Sequence, residues 1–505
     1  MRAALGCSRA RLIMNSFVES AILAVAGAAG GLALAWWGLA ALRSAFFNRL
    51  TFFSAAGLDD THIDWRVLLF TLACALFSTL LFGVSPALSG AALPLNEALR
   101  TGGRGSTSAD RHNVRSVLVV VQVSLSLLLL TGAGLLGKSF LHLMSVNPGF
   151  QTERIITADI NLPGAQYRTT AQVAAFYDNL LDRAAALPGV RTSGLTDTLP
   201  LSGEDNRMGV QIEGREPRPG EMFRLHPRLV SMNYLGTMNV PLLQGRWFTA
   251  TDAGAKRPVA IVSDAAARKY WPEGSPVGQR FRFTNENAPW LEVIGVAGGV
   301  HNMALDQEST QDVYLPYREN PFLYAPARMT LVLGSDLDET ALASSIRTAV
   351  ASLDRSVAVS DIRPIESRLT DSVAPKRFSL ILLTLFAMMA IVLAAAGLYG
   401  ILSYLVSQRM PEIGIRMALG ASKRDVVRMV MGRGAMLAGA GIVLGVAASL
   451  AATRALSKLL FDVHPHDPAI LGAISIFLAI VALLASYIPA RRATKVDPLV
   501  ALRTE

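Results

Sequence analysis

Three groups of residues in this chain have types and spacings that invite chemistry. Gly132-Ala133-Gly134-Leu135-Leu136-Gly137-Lys138-Ser139 fits GxxxxGK[ST], a pattern in which backbone N–H groups and a lysine cradle nucleotide phosphates. His464 and His466 lie just before Asp467, a donor set that suits a metal ion. His226 and His301 stand isolated in a long polar segment. Each group has a plainer explanation. The phosphate-loop match ends a long apolar run with no βαβ context, so Lys138 is expected to snorkel to a membrane interface. Asp467-Pro468 reads as a helix cap followed by a first-turn proline. The isolated histidines are expected to be solvated or hydrogen-bonded. No catalytic residues, cofactor or metal are expected, and the chain is not expected to be an enzyme.

The stretch around which the chain is organised is Gln408–Arg433. Apolar Ile413, Ile415, Met417 and Leu419 alternate with Glu412, Arg416, Lys423 and Arg424. Gly420 suits a helix stop, because glycine adopts the left-handed C-terminal conformation freely. Ser422 with Asp425 three residues on is a capping-box pattern. Two short helices with a tight corner are expected here. They would either anchor the chain at the inner membrane face or dock against a cytoplasmic partner.

Composition places the chain in a membrane. Of its 505 residues 51% are hydrophobic and only 17% are charged. The net charge of +9 raises nucleic acid as a partner, but its distribution argues against one. Basic residues crowd at Arg2–Arg11, Arg100–Arg115, Arg409–Arg433 and Arg491–Arg503, all expected inside by the positive-inside rule. Cys7 and Cys74 are the only cysteines, so no disulfide can staple the large polar segment.

Six spans of about twenty residues are expected. Residues 1–115 hold two, at about 21–42 and 66–88. Residues 116–145 are a span continuing as a stalk, and 146–375 an α+β domain outside the membrane. Residues 376–505 hold spans at about 378–405, 435–455 and 469–489, the last ending at Pro489. In 146–375, strands are expected at Ile155–Leu162, Val190–Thr196, Val210–Ile212, Val259–Val262, Arg280–Phe283, Leu291–Val296, Asp312–Leu315, Met329–Leu333 and Val357–Ile362. Helices are expected at Ala171–Leu187, Asp264–Tyr270 and Glu339–Leu353.

The chain repeats itself. Arg2-Ala3-Ala4-Leu5-Gly6-Cys7-Ser8-Arg9 matches Arg416-Met417-Ala418-Leu419-Gly420-Ala421-Ser422-Lys423. Pro86-Ala87 and Ala98-Leu99-Arg100 match Pro489-Ala490 and Ala501-Leu502-Arg503 at the same spacing, and Asp64 matches Asp467. Paired repeats are a common way to build transporters. The first copy begins inside its motif, so sequence upstream of Met1 is expected in a full copy.

Further motifs carry a resemblance. They are Glu412–Ser422, Tyr487-Ile488-Pro489-Ala490-Arg491-Arg492-Ala493 and Asp497-Pro498-Leu499-Val500-Ala501-Leu502-Arg503. In the polar segment they are Leu242-Leu243-Gln244-Gly245-Arg246-Trp247-Phe248, Val259–Ser263 and Val313–Tyr317. With them the chain resembles the MacB/FtsX-type permeases of ABC transporters, closest to the duplicated orphan permeases of acidobacteria, and lacks the start of its first copy. The resemblance implies an α-helical integral membrane protein with a MacB-like periplasmic core domain, in the bacterial inner membrane with both termini cytoplasmic. It implies a permease that couples a separate ABC ATPase to its outer domain for export or efflux. A second permease or an outer-membrane component is a further implied partner, besides membrane lipid. The coupling residues carried over are Glu412, Gly414, Arg416, Ala418, Leu419, Gly420 and Ser422, with Arg2, Leu5, Gly6 and Ser8 in the first copy. The alternatives are a membrane-anchored regulator of an envelope enzyme and an inactive truncated permease.

Overall fold

A computed structural model describes residues 9–46, 63–91, 107–217, 219–220, 222–252, 258–284, 288–318, 322, 326–408, 410–419, 422–456, 461–464 and 466–494. Two compact units emerge: Met1–Gly134 with Leu382–Ser457 and Pro465–Glu505, and Leu135–Ile381 with Lys458–His464.

The first unit is helical. Helices α1 (Arg9–Phe46) and α2 (Trp65–Ala91) lead into α3 (Thr107–Ser145). Among the described residues five helices are long and apolar enough to cross a membrane, at Phe17–Ala41, Ser116–Ser145, Ala374–Gln408, Lys423–Ala452 and Pro468–Arg492. Trp65–Leu80, where a sixth span is expected, counts as a shorter apolar helix among the described residues. The repeated aspartates act alike. Asp64 Oδ1 accepts from Val67 N at 3.0 Å, and Asp467 Oδ1 accepts from Ala469 N at 3.0 Å, each opening an apolar helix.

Two expected boundaries are corrected. The last helix, α12 (Pro468–Ala493), continues through Pro489, since one missing N–H is tolerated in a helix whose other bonds are protected by lipid. The second helix of the central motif is not short: it runs unbroken into the next span as α11 (Lys423–Leu456). Between Asp425 and Ala435 the weakest helix formers are Gly432 and Gly434, and an interior glycine costs only about 1 kcal/mol.

The repeat can be followed into packing. Aligned on Gly6 and Gly420, Gly27 and Gly31 correspond to Gly441 and Gly445. A Cβ at Gly441 would lie 2.6 Å from Val123 Cβ, and one at Gly445 would lie 2.9 Å from Leu127 Cβ. These glycines let α3 lie against α11. A Cβ at Gly27 or Gly31 meets nothing within 4 Å. The same face of α1, with α2, lines an open groove of about 660 Å³.

The second unit is built on an eleven-stranded sheet. Its strands are β1 (Ile155–Asn161), β2 (Val190–Thr196), β3 (Met208–Ile212), β4 (Arg224–Val230), β5 (Leu242–Gly245), β6 (Val259–Ser263), β7 (Arg280–Phe283), β8 (Leu291–Ala297), β9 (Asp312–Pro316), β10 (Arg328–Ser335) and β11 (Ala358–Pro364). They order as β11-β1-β10-β2-β4-β3-β7-β8-β6-β9, and a β4–β9 pairing closes six of them into a ring. Helices α4 (Thr170–Ala185) and α7 (Glu339–Leu353) complete a β-α-β-β-α-β arrangement with β1, β2, β10 and β11. Both bury one face, through Val173, Phe176, Tyr177 and Leu180 on α4 and Leu342, Ile346 and Val350 on α7. Helix α5 (Tyr234–Thr237) and helix α6 (Asp264–Tyr270) belong to the inserted half.

All nine expected strands and all three expected helices of this segment are present, with ends shifted by at most a few residues. Strands β4 and β5 were not expected. Strand β4 reads Arg-Leu-His-Pro-Arg-Leu-Val, too polar for a central strand by pattern alone. It is nonetheless buried from Leu225 to Val230. Arg228 Nε donates to Asp312 Oδ1 at 3.1 Å. Asn302 Nδ2 donates to Asp312 Oδ2 at 2.8 Å. His226 is itself buried.

Candidate coupling site

Helix α10 (Met410–Ala418) is amphipathic in two directions. Ile413 is buried among residues of α3, α9 (Ala374–Gln408), α11 and α12, including Val119, Leu402, Val430 and Ala490. Met410 and Met417, three and four residues away, pack against the same cluster, as helical periodicity requires. On the other side Ile415 is 48% exposed and Leu419 83%. One face of α10 is thus keyed into the helical unit, and the other presents two aliphatic side chains four residues apart.

The start of α11 is fixed by hydrogen bonds. Ser422 N donates to Asp425 Oδ2 at 3.1 Å, and Asp425 N donates to Ser422 Oγ at 3.3 Å. Ser422 Oγ also donates to Asp425 Oδ2 at 2.7 Å. This reciprocal box satisfies orphan donors at the start of α11. Arg416 is exposed, with Nη1 3.7 Å from Met429 Sδ. Glu412, Gly414 and Ala418 lie on α10. Gly420, Arg2, Leu5, Gly6 and Ser8 lie outside the described residues.

Other residues at the base of the sheet unit escaped sequence reasoning. Helix α8 (Ile365–Ser372) runs into α9, and its Arg368 reaches back to the sheet. Arg368 Nε donates to Thr157 Oγ1 at 3.1 Å, and Nη2 lies 3.3 Å from Asp159 Oδ1 and 2.9 Å from Asp361 Oδ2. Lys376 forms an ion pair with Asp306. Leu143 of α3 packs with Leu305 and Val373, and Ser139 Oγ accepts from Phe461 N at 2.8 Å. The two stalk ends are thereby fastened to the loop before β9 and, through α8, to β1. A positive charge with scattered carboxylate partners leaves no sequence pattern to find.

The groups that invited chemistry take structural places. Gly132–Ser139 lies within α3, without the loop that wraps a phosphate. His301 Nδ1 is 2.7 Å from Gln307 O. In the Leu242–Phe248 motif, Gly245 has φ +75°, a conformation that favours glycine. Arg246 Nη1 and Nη2 clamp Asp252 at 2.6 and 2.8 Å. Hydrogen bonds from Arg246, helped by Thr249, hold the Asp252 carboxyl down at about 2. Burial pushes Asp197 the other way, up to about 6.

Helices of membrane-spanning length and apolarity, with one large α+β segment inserted in the sequence between two of them, have the architecture of a multi-pass membrane protein. Two family models match. The MacB-like periplasmic core domain matches residues 116–353, and the FtsX-like permease C-terminal domain matches residues 384–498. The chain thus carries a MacB-like periplasmic core domain followed by an FtsX-like permease C-terminal domain.

Curated relatives agree. The pyoverdine export ATP-binding/permease protein PvdT of Pseudomonas putida is 27% identical over 363 residues, 68% of this chain and 54% of that protein. The macrolide export ATP-binding/permease protein MacB of Rhodospirillum rubrum is 27% identical over 369 residues, 72% of this chain and 52% of that protein. The chain spans about half the length of these relatives. Among solved structures, the periplasmic region of MacB from Actinobacillus actinomycetemcomitans is 14% identical with a TM-score of 0.29, covering 44% of this chain and 94% of that one.

Proposed function

We propose that this chain is the mechanical-transmission permease of an ABC-type exporter, driven by an ATPase subunit on a separate polypeptide. The observation that carries this reading is the two-faced helix α10. Ile413 ties it to the core shared by α3, α9, α11 and α12, while Ile415 and Leu419 face outward. A partner gripping the outer face would move the spans as a body. The stalk contacts of Leu143, Arg368 and Lys376 would pass that movement to the sheet unit. The relatives' names join ATP binding to permease. In this chain the phosphate-loop match lies within a helix.

In this reading Trp65–Ala91 is the sixth span, both termini are cytoplasmic, and the sheet unit is periplasmic. The segments 1–115, 116–145, 146–375 and 376–505 act as first-copy remainder, stalk, outer domain and second permease copy. Glu412–Ser422 is the coupling element and Arg2–Arg9 its first-copy counterpart. The open face of α1, at repeat positions that α3 covers in the second copy, supports a first copy completed by further helices. Export substrates would act at the outer domain, with an outer-membrane component or second permease as further partner. The test is coupled ATP hydrolysis in a reconstituted complex. Glu412→Arg and Gly420→Pro should each abolish stimulation while the chain stays folded, and survival of stimulation in both would remove the assignment.

A further inference from the structure

The first turns of α11 are electrostatically odd. A helix N-terminus carries partial positive charge, yet Lys423, Arg424 and Arg428 all sit there. The one acid in the first turn, Asp425, is engaged with Ser422. Arg491, near the end of α12, joins these cations around a single groove of about 570 Å³. Among the described residues no carboxylate lines that groove. Lys423, Arg424, Arg428 and Arg491 are all exposed, so their charges reach a ligand without burial.

The groove has a second, apolar part. Its lining continues along both helices through Met431 and Leu483. Gly432 deepens it, since a Cβ there meets nothing within 4 Å. Both walls are membrane-length apolar helices, Lys423–Ala452 and Pro468–Arg492. Four cations at one end and an aliphatic channel running toward the span centre match a molecule with an anionic head and a hydrocarbon tail. A free phosphate would satisfy the cations and leave the channel wet. An acidic protein surface would do the same.

We propose that this groove binds one anionic phospholipid, its phosphate held by Lys423, Arg424, Arg428 and Arg491 and an acyl chain lying over Met431 and Leu483. Basic pockets between spans are a known setting for such headgroups. The assignment does not depend on which partner drives α10.

Native mass spectrometry of the full chain tests it. The chain is released from nanodiscs of phosphatidylcholine containing a minor fraction of phosphatidylglycerol. One phosphatidylglycerol adduct is expected on the wild type. Removing the charges together (Lys423→Gln, Arg424→Gln, Arg428→Gln, Arg491→Gln) should lower its occupancy about tenfold or more, since each basic residue near a headgroup adds to its attraction. Gly432→Leu keeps every charge, fills the channel and has room to fold, and it should lower occupancy as well. Equal retention of phosphatidylcholine would overturn the proposal. So would full retention by Gly432→Leu, or displacement of the adduct by inorganic phosphate, either of which would make the site one for anions alone. Absence of the adduct from the wild type would overturn it too.

Discussion

Gly27 and Gly441 hold the same position in two copies of one repeat, yet among the described residues only Gly441 has a neighbour where a Cβ would stand. Val123 Cβ would lie 2.6 Å from a Cβ at Gly441, whereas nothing lies within 4 Å of one at Gly27. Gly441→Leu should therefore force α3 and α11 apart and lower stability by about 1–3 kcal/mol. Gly27→Leu should leave the purified chain unchanged. Thermal unfolding of the two variants in detergent checks the pair. An equal loss from Gly27→Leu would mean that α1 is covered.

Arg228 and Asp312 form an ion pair inside the sheet unit, with Arg228 1% exposed and Asp312 fully buried. The two terminal nitrogens of Arg228 have no hydrogen-bond partner among the described residues, so its charge depends on Asp312. Asp312→Ala strands that charge and should cost about 3–5 kcal/mol. Arg228→Met combined with Asp312→Leu should cost less than Asp312→Ala alone. Denaturant midpoints of the three proteins decide the matter.

Asp197 and Asp252 should give opposite pH dependences. Burial raises Asp197 to about 6, so the native state keeps a proton that the unfolded chain loses near pH ~4. Its contribution to stability falls as pH rises from about 4 to about 6. Asp197→Asn retains an acceptor for Leu229 N, now 3.0 Å from Asp197 Oδ1. It should gain on the order of 1–2 kcal/mol near neutral pH and lose that slope. Asp252 is held down at about 2 by Arg246. Its contribution is present above pH ~4 and lost as pH falls toward about 2, so Asp252→Asn should flatten that acid limb. Stability measured across pH 2–8 (roughly the range over which these carboxyls titrate) reads both slopes.

The Ser422–Asp425 box should set how firmly α11 begins. Ser422→Ala removes an N-cap acceptor and should cost about 1 kcal/mol locally. Hydrogen exchange at the amides of residues 423–427 should quicken while the centre of α11 does not change. Uniform quickening along α11 would place the fastening elsewhere.

Much of this architecture is legible because it follows from local rules. Ser422–Asp425 and Asp467-Pro468 announce helix starts by their own chemistry. Val259–Ser263 and Leu291–Ala297 are apolar runs of strand length. What escaped depends on distant partners. Strand β4 hides behind the polar residues Arg228 and His226; the burial of Arg228 is compensated by Asp312, 84 positions away. Helix α8 is short, and its anchor Arg368 meets Asp159 across 209 positions. The length of α11 was missed because a change from basic to apolar composition looks like a boundary, although the backbone has no reason to stop there. For the coupling site, sequence singled out α10, but which face points inward followed only from the burial of Ile413.

The central claim is that α10 receives force from a separate ATPase. The most direct measurement is purification of the tagged chain from native membranes, with identification of its companions and assay of ATP hydrolysis, for the wild type, Glu412→Arg and Gly420→Pro. The account predicts an ABC ATPase in stoichiometric amount with the wild type, and loss of stimulated hydrolysis in both variants at unchanged unfolding temperature. A wild type without any ABC ATPase, or stimulated hydrolysis that survives both substitutions, would contradict it.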